Sequence, residues 1–329
     1  RNFMNDQNFI EIETPVLMKS TPEGARDFLV PSRLHSGRFY ALPQSPQTYK
    51  QLLMVSGFDK YFQIVKCFRD EDFRADRQPE FTQIDIEMSF VDQDDIIKLG
   101  TDLTRHIWKT VNNVELPEDF PVLNYYDAME RYGSDKPDIR FNMELQEMAE
   151  FVEQSDFNVF KSVLDSGGRV KALVCPNAAT YSRKVMDELT DYLKKYFGAK
   201  GLAWMKCADG KLEGGISKFF PETVKNDIIS QLGLENDSVL FMVGDVAKTV
   251  FAALGALRIE LAKRENLIDT NKWAPLWVVD FPLVEWNEDK NRWDALHHPF
   301  TSPNLEDLDK LDSTPGEVRS YGYDVIMNG

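Results

Sequence analysis

Polar and apolar residues alternate in two stretches of the chain between residues 61 and 90. In the second stretch, Ile84 and Ile86 point to one side of an extended strand, and Asp85 and Glu87 point to the other. The residues of the first stretch that share one side of an extended strand are Tyr61, Gln63, Val65, Cys67, Arg69 and Glu71, and a loop rich in charged residues separates the two stretches. The pattern predicts an antiparallel pair of strands with one apolar face and one polar face.

The polar face of this strand pair combines a cation with acidic and amide groups. Gln63 and Arg69 of the first strand are expected to lie beside Asp85 and Glu87 of the second. Charges on an enclosed sheet are costly unless they meet charged ligands or each other. An arginine suits phosphate, because its guanidinium binds two oxygens at once. The face therefore indicates a binding site, whereas the ordinary alternative is a hairpin whose salt-bridged face meets solvent.

Helical and strand patterns alternate along the rest of the chain. Apolar residues at helical spacing predict helices at residues 94–111, 143–154, 182–197, 222–232 and 247–264. Short apolar runs predict strands at residues 170–174, 201–205, 239–244 and 277–281. The mixture predicts an α+β fold, with a separate α+β unit after the turn-rich residues 134–138.

The composition indicates a globular protein without a membrane partner. Hydrophobic residues make up 43% of the chain and charged residues 28%. No apolar run approaches the roughly 20 residues that cross a bilayer, and the N-terminus has no secretion-signal pattern. Cys67, Cys175 and Cys207 are too few and too scattered for a disulfide framework or a zinc cluster. This cysteine usage indicates a reducing compartment, and the cytoplasm is the default.

The formal net charge of −16 at pH 7 argues against DNA as a partner, because duplex binding depends on clustered lysine and arginine. The distribution of charge matters more than its sum, however. Arg69, Arg74 and Arg77 cluster in or beside the loop between the two alternating stretches. Taken alone, such a cluster is as consistent with a solvated turn as with a contact site.

The same loop and its flanking strands carry a specific sequence resemblance. Residues 68–71 read FRDE and are followed by Arg77, Phe81 and Asp85. This order resembles motif 2 of the class II aminoacyl-tRNA synthetases, which is the hairpin that binds ATP in that family. The match is specific enough to outweigh the alternative of an ordinary hairpin.

Four further segments narrow the resemblance to the bacterial-type aspartyl-tRNA synthetases. Residues 9–15, FIEIETP, resemble motif 1, the dimer element of the family, so a homodimer is expected. Residues 21–28, TPEGARDF, resemble the loop over the amino-acid pocket, and residues 44–50, QSPQTYK, resemble the aspartate-binding segment. Residues 297–301, HHPFT, resemble the histidine loop. The resemblance covers essentially the whole chain and implies a class II antiparallel sheet flanked by helices.

The resemblance also implies how the chain divides into domains. Residues 1–141 would hold the first part of the catalytic domain, and residues 259–329 the second part, which ends before motif 3. Residues 142–258 would form an insertion domain of a type shared with a tRNA-dependent amidotransferase subunit. The family's anticodon-binding barrel, motif 3 and second metal-binding carboxylate have no counterpart in these residues. We therefore expect weak or no aminoacylation from this stretch alone.

The reaction that the resemblance implies is activation of L-aspartate with ATP, followed by transfer of the aspartyl group to the acceptor end of tRNA. Because a carboxylate is already a nucleophile, the first step needs no catalytic base. Catalysis would depend on positioning and charge stabilisation, with ATP and Mg²⁺ as cofactors and Arg69 as the catalytic cation. The implied ATP-binding residues are Arg69, Asp70, Glu71, Gln78 and Phe81, and the implied tRNA contacts are Arg74 and Arg77.

Recognition of aspartate requires a cation for its side-chain carboxylate and acceptors for its ammonium group. Lys50 would provide the cation, and Asp85 and Glu23 the acceptors. Asp324 would bind Mg²⁺, which prefers hard oxygen ligands. Adjacent histidines cannot easily chelate one ion, so the histidine pair does not indicate zinc. The full set of implied aspartate-binding residues is Glu23, Ser45, Gln47, Lys50, Arg69, Asp85, His297 and His298.

Three other functions are compatible with part of this pattern. A paralogue such as an ammonia-dependent asparagine synthetase would use the same pocket, but the expected insertion domain disfavours it. A non-catalytic tRNA-binding or regulatory module is disfavoured, because the implied ligand-binding residues Lys50, Arg69, Glu71 and Asp85 are all present. Asparagine-specific synthetases share motif 2, yet residues 47–50 and the insertion favour aspartate.

We predict that the affinity for aspartate changes with pH across the range in which histidine titrates, about pH 5 to 8. The reason is that His297 is expected to reach the aspartate carboxylate. Calorimetric titration of aspartate into the protein across this range measures the dependence. A flat profile in an active protein would remove His297 from the residues that contact the ligand.

Overall fold

The computed structural model describes residues 1–21, 23–72 and 77–329. Its strands are β1 (Ile10–Glu11), β2 (Leu29–Pro31), β3 (Phe39–Ala41), β4 (Lys60–Phe68), β5 (Glu80–Met88), β6 (Val122–Asn124), β7 (Gln146–Glu147), β8 (Arg169–Cys175), β9 (Ala203–Ala208), β10 (Lys211–Glu213), β11 (Val239–Asp245), β12 (Pro275–Val279), β13 (Val284–Asn287), β14 (Arg292–Ala295) and β15 (Tyr323–Met327). Its α-helices are α1 (Asn2–Asp6), α2 (Gln47–Val55), α3 (Gln93–Ile107), α4 (Tyr125–Tyr132), α5 (Ala149–Glu153), α6 (Asn158–Asp165), α7 (Arg183–Phe197), α8 (Glu222–Leu232) and α9 (Ala247–Arg264).

The chain divides into two compact units. The first comprises Arg1–Asp119 with Pro282–Gly322, and the second comprises Phe120–Phe281 with Tyr323–Gly329. Both contain antiparallel strands packed with helices, so the predicted α+β class is confirmed. The domain boundaries expected after residues 141 and 258 stay a prediction.

The first unit is built around the strand pair β4–β5. β5 runs antiparallel to β4, and the short β1 adds to the other edge of β4 in parallel. Helix α2 contacts both long strands. Helix α3 begins with a capping box, in which the Asp95 carboxylate accepts a hydrogen bond from the Asp92 backbone N–H. Leu99 and Leu103 of α3 pack against a small core around Phe62 of β4.

The second unit contains a five-stranded antiparallel sheet in the order β10-β9-β11-β8-β7. Its central strand β11 is apolar at successive positions because helices cover both of its faces. Phe241 and Val243 belong to a core shared with α7 and α9, whereas Leu240 and Met242 belong to a core shared with α5, α6 and α8. A separate three-stranded sheet has β12 in its centre, antiparallel to β15 and parallel to β6. Over residues 1–21, 23–72 and 77–329, no helix is both long and apolar enough to cross a membrane.

Helices α4 and α9 of the second unit approach each other at two glycines. Helix α4 ends at Gly133, whose φ of +66° is a left-handed conformation that favours glycine. A Cβ at Gly133 would lie 2.4 Å from the carbonyl oxygen of Phe251, and one at Gly255 would lie 2.4 Å from the carbonyl oxygen of Gly133. Neither position accepts a larger residue, so the two helices are in direct backbone contact.

Most predicted elements are present, and the differences have identifiable causes. The helices predicted at residues 222–232 and 247–264 have the predicted bounds. The helix predicted at residues 143–154 is wrong over its first half, because residues 146–147 pair with β8 and the helix begins at Ala149. Met143 has a φ of +88°, which a right-handed helix does not accept. The α-helix predicted to reach residue 111 ends at Ile107 and continues as a short π-helix.

Arg258 of α9 is almost fully buried, with 1% of its surface exposed. Its guanidinium donates to the carbonyl oxygens of Asp138, Phe141 and Met143 at 2.8–2.9 Å. It also packs on the rings of Tyr132 and Phe141. Burial lowers the pKa of the Arg258 guanidinium to about 10. The arginine therefore provides hydrogen-bond donors for the irregular segment between α4 and β7, whose carbonyl groups would otherwise lack partners.

We predict that Arg258→Met lowers the free energy of unfolding by about 3 kcal/mol or more, because it leaves several buried carbonyl groups without donors. Arg264→Met, near the end of the same helix, is the matched control. Arg264 forms a partly exposed ion pair with Glu260, so its loss should cost less than about 0.5 kcal/mol. Urea unfolding of the protein and both variants measures the two effects. Equal losses would contradict the structural role of Arg258.

Candidate functional site

The strand pair β4–β5 places the predicted polar residues on one face. Gln63 lies directly opposite Asp85, and Tyr61 lies opposite Glu87. This polar face is the enclosed one: Tyr61, Gln63 and Asp85 are at most 6% exposed, whereas Ile64 on the other face is 37% exposed. The alternative of a hairpin whose polar face meets solvent is therefore wrong.

Lys50 reaches this face from helix α2. Its Nζ lies 2.9 Å from Asp85 Oδ1 and 3.4 Å from Glu87 Oε2, and its side chain is 12% exposed. Burial by itself lowers the pKa of Lys50, but the two carboxylates outweigh it and the pKa is raised. Burial raises the pKa of Asp85, although Lys50 opposes this shift. The cluster carries one more carboxylate than cation, which favours a ligand group with positive charge.

The loop before β2 is held against the segment that leads into α2. Ser45 Oγ donates to Glu23 Oε2 at 2.6 Å. Gln44, which is 2% exposed, accepts a hydrogen bond from the backbone N–H of Ala25 and donates to its carbonyl oxygen. These contacts fix the Glu23 carboxylate within electrostatic range of Asp85. Three of the predicted aspartate-binding residues, Glu23, Ser45 and Asp85, are therefore neighbours.

Arg69 follows the last residue of β4 and keeps a donor without a partner. Its backbone N–H donates to the carbonyl oxygen of Pro79 at 2.8 Å, and its guanidinium lies 5.1 Å from the centre of the Phe81 ring. Its buried Nε has no hydrogen-bond partner among the residues that the structure describes. The predicted catalytic cation is thus half-buried against a predicted ATP-binding residue, with one edge available to a ligand.

The other residues predicted to bind ATP or tRNA lie in or beside the loop between β4 and β5. The backbone N–H of Asp70 donates to the carbonyl oxygen of Arg26 at 3.0 Å, and the two side chains form an exposed ion pair. This contact joins the loop that carries Glu23 to the end of β4. Glu71, Arg77 and Gln78 are exposed, and Arg74 lies outside the described residues.

His298 is the histidine that lies among the charged groups of the site. Its Nδ1 accepts a hydrogen bond from the backbone N–H of Phe300 at 3.0 Å, so the neutral imidazole carries its proton on Nε2. Nε2 is buried and has no hydrogen-bond partner in the described parts of the chain. Burial lowers the pKa of His298, which keeps the ring neutral at pH 7. The charged residues that also influence it are Glu23, Lys50 and Arg69.

The remaining predicted ligands have less direct support. His297 packs against Gly322, where an added Cβ would lie 2.7 Å from Nδ1. Gln47 is the first residue of α2 and is half-buried. Asp324 is exposed on β15 of the second unit, opposite Val278. Among the residues described, no group of three or more His, Cys, Asp or Glu side chains is arranged to hold a metal, so the magnesium role of Asp324 stays a prediction.

Three buried polar atoms at this site lack a hydrogen-bond partner among the described residues: Arg69 Nε, Asp85 Oδ2 and His298 Nε2. Buried polar atoms are normally paired, because an unmade hydrogen bond costs about 1–3 kcal/mol. The side chains share neighbours, since Lys50 and Glu23 act on both Asp85 and His298. Two donors and one acceptor thus belong to side chains of the same charged cluster, since Arg69 also acts on His298. The arrangement suits a ligand that combines negative groups with a positive one.

Three residues of this site were not identified from the sequence. Gln44 anchors the loop that carries Glu23, Tyr61 lies on the polar face of β4, and Gln83 accepts a hydrogen bond from the Cys67 thiol at 3.1 Å. Tyr61 and Gln83 could have been found, because strand periodicity places them on the polar face. For Gln44, the signal was its position directly before a predicted ligand.

The whole chain is similar to known tRNA synthetases. The family model for class II tRNA synthetases (D, K and N) matches residues 1–329. The aspartate–tRNA ligases of Staphylococcus saprophyticus subsp. saprophyticus and Halalkalibacterium halodurans are 54% and 56% identical to this chain. A relative from Caldanaerobacter subterraneus subsp. tengcongensis, named aspartate–tRNA(Asp/Asn) ligase, is 53% identical. Each alignment covers 100% of this chain and 55% or 56% of the relative, so the chain spans about half the length of the curated relatives it matches.

We predict that Lys50→Met lowers the free energy of unfolding by about 3 kcal/mol near neutral pH, because Asp85 is left buried without its cation. The loss should shrink as the pH falls. A buried carboxylate without a cation has a raised pKa, so the folded variant binds more protons than the unfolded chain and gains stability at lower pH. Urea unfolding at acidic and at neutral pH measures this difference.

Lys66→Met is the matched control for this substitution. Lys66 lies on the other face of β4 and pairs with Glu80, and both side chains are more than half exposed. Its replacement should cost less than about 0.5 kcal/mol at either pH. A loss for Lys50→Met that does not depend on pH would contradict the argument from the buried charge.

Proposed function

Because the chain belongs to the class II tRNA synthetases of the D, K and N group, we propose that the full-length protein is an aspartate–tRNA ligase. It activates L-aspartate with ATP to form aspartyl-adenylate and pyrophosphate. It then transfers the aspartyl group to the 3′ end of tRNA and releases AMP. The observation that carries the proposal is the set of buried, unpartnered polar atoms of Arg69, Asp85 and His298 beside the Lys50 cation.

Lys50 binds the side-chain carboxylate of aspartate. An ammonium group has three donors, and Asp85 and Glu87 use two of them, so one donor is available to the ligand. The α-ammonium group of aspartate binds Asp85 Oδ2, where the excess negative charge of the cluster favours a cation. Glu23, held by Ser45, is a second acceptor. Asparagine is rejected because its neutral amide cannot form the ion pair with Lys50.

Arg69 stabilises the phosphate charge during activation. One oxygen of the α-carboxylate of the bound aspartate attacks the α-phosphate of ATP in line. The new O–P bond forms as the bond to pyrophosphate breaks. The guanidinium of Arg69, which is already in position against Phe81, donates to the α-phosphate as its charge develops. Phe81 also stacks on the adenine ring, and Glu71 and Gln78 contact the nucleotide from the loop. His298 donates from Nε2 to a carboxylate oxygen of the amino acid.

The full-length protein is also expected to bind Mg²⁺, tRNA and a second copy of itself. Asp324 is the expected ligand of Mg²⁺, and the described residues form no group of three metal-binding side chains. Arg74 and Arg77 contact the acceptor end of tRNA. A homodimer forms through motif 1, a proposal supported by Ile10 and Leu17, which are apolar and each 51% exposed. The protein acts in the cytoplasm, where its free cysteines stay reduced.

The proposal predicts AMP formation by the full-length protein that depends on both aspartate and tRNA. Lys50→Met should lower kcat/KM for aspartate at least about a hundredfold, because truncating one partner of a buried charge pair costs about 2–5 kcal/mol. The KM for ATP should not change, and this shows that the variant is folded. Steady-state kinetics with aspartate and ATP varied in turn separates the two effects.

Lys66→Met, on the other face of β4, should retain wild-type kinetics and serves as the control. Wild-type turnover with asparagine in place of aspartate would indicate the paralogue that uses the same pocket. No turnover with either amino acid would overturn the proposal in favour of a non-catalytic module.

A further inference from the structure

The hydroxyl group of Tyr61 is a buried polar group that the proposed reaction does not use. Tyr61 is 0% exposed on the polar face of β4. Glu87 is its cross-strand partner, and Asp85 is its diagonal neighbour on the same face. A phenylalanine would fill the same space without requiring a hydrogen bond. The hydroxyl must therefore have partners, and those partners indicate what it does.

The amide of Gln63 determines where the hydroxyl proton of Tyr61 points. Rotated by half a turn from its assigned orientation, the amide nitrogen donates its two protons to Thr14 Oγ1 and to Tyr61 Oη, both at 2.9 Å, and the carbonyl oxygen of Ile12 lies 3.3 Å from it. The amide oxygen then accepts from the backbone N–H of Thr14 at 3.3 Å. This orientation matches donors with acceptors on both sides of the amide, so it is the one that hydrogen bonding selects.

With Gln63 in this orientation, Tyr61 Oη accepts a hydrogen bond and keeps its own proton to donate. The acceptor that remains for this proton on the same face is the Asp85 carboxylate, whose buried Oδ2 has no hydrogen-bond partner in the described chain while the hydroxyl points at Gln63. A second lone pair on that oxygen is left for a ligand. Burial raises the pKa of Asp85, and the hydrogen bond from Tyr61 opposes this shift. The same burial and the neighbouring carboxylate raise the pKa of Tyr61, so its hydroxyl stays protonated.

We infer that Tyr61 is a positioning residue for the aspartate site, an inference that rests on the proposed function. Its hydroxyl fixes the Asp85 carboxylate in its ionised form, and Asp85 in turn holds Lys50 Nζ. Gln63 orients the hydroxyl and is itself anchored by Thr14, in the segment after β1. A chain of hydrogen bonds therefore connects motif 1 to the charges that recognise the amino acid.

The test measures a pH profile, so the other groups around Asp85 and Tyr61 must stay unchanged. The charged and titratable groups that act on this pair are Lys50 from α2, Cys67 from β4, Glu87 from β5 and Glu23 from the loop before β2. Substitutions that leave all four in place report on the Tyr61 hydroxyl alone.

Tyr61→Phe removes the hydroxyl and keeps the ring. In the full-length protein, exchange of pyrophosphate into ATP that depends on aspartate reports the consequence. The KM for aspartate should rise about tenfold, the effect of losing one hydrogen bond to a charged group, while the KM for ATP stays unchanged. The acid limb of kcat/KM for aspartate should move up by about one pH unit. The sign follows because Asp85 must be ionised, and loss of the donor raises its pKa.

Tyr132→Phe is the matched control. Tyr132 is a buried tyrosine of the second unit whose hydroxyl donates to Glu144 at 3.2 Å, so its replacement should leave the acid limb unchanged. Thr14→Val removes one anchor of Gln63 and should move the acid limb in the same direction as Tyr61→Phe, by a smaller amount. It tests the hydrogen-bond chain if Tyr61→Phe does not fold.

The outcomes distinguish this inference from the proposed function. An active wild type together with an unchanged acid limb in Tyr61→Phe, or in Thr14→Val if that is the variant that folds, overturns the positioning role and leaves the proposed function intact. A wild type that shows no exchange with aspartate overturns the proposed function and the inference with it.

Discussion

The ion pair between Lys50 and Asp85 is the constraint on which the site depends. Removing two charges from water costs several kcal/mol for each ion, and a contact of 2.9 Å recovers this only with additional hydrogen bonds. Glu87 provides one such contact but leaves the cluster with an excess of negative charge. Packed apolar side chains would stabilise the strand pair as well or better. Stability alone therefore does not explain the pair, whereas recognition of a charged ligand does.

The groups around this pair are fixed before a ligand arrives. Gln44 bonds the backbone of the loop that carries Glu23, and Ser45 bonds the Glu23 carboxylate itself. In the proposed reaction, donors fixed in this way would need no reorganisation as charge develops, and such preorganisation is a large source of electrostatic catalysis. An unpartnered buried polar atom destabilises a folded state by about 1–3 kcal/mol, and Arg69 Nε and His298 Nε2 have no partner among the described residues. Such local instability is expected at functional sites.

Elements determined by local pattern could be predicted from the sequence, and those determined by distant contacts could not. Helix Ala247–Arg264 has apolar residues at helical spacing, and strand periodicity placed Asp85 on the polar face. The helix predicted at residues 143–154 is absent over its first half because residues 146–147 pair with β8, a strand that follows later in the chain. In the site, the positions of Gln44 and His298 in the sequence do not show which groups these side chains contact in the fold. Both depend on how loops fold back on the strands.

Two cations of this chain, Arg258 and Lys50, differ in the groups that they contact. This difference distinguishes a structural role from a role in ligand binding. Arg258 donates to the carbonyl oxygens of an irregular segment, and these are neutral groups whose hydrogen bonds are made within the fold. Lys50 instead pairs with carboxylates, and one oxygen of Asp85 keeps a lone pair for a ligand. An excess of negative charge and a free acceptor can be satisfied by a ligand, whereas a set of bonded carbonyl groups offers a ligand nothing. Both side chains are largely enclosed, so the chemistry of the partners distinguishes a cation that stabilises the fold from one that suits a binding site.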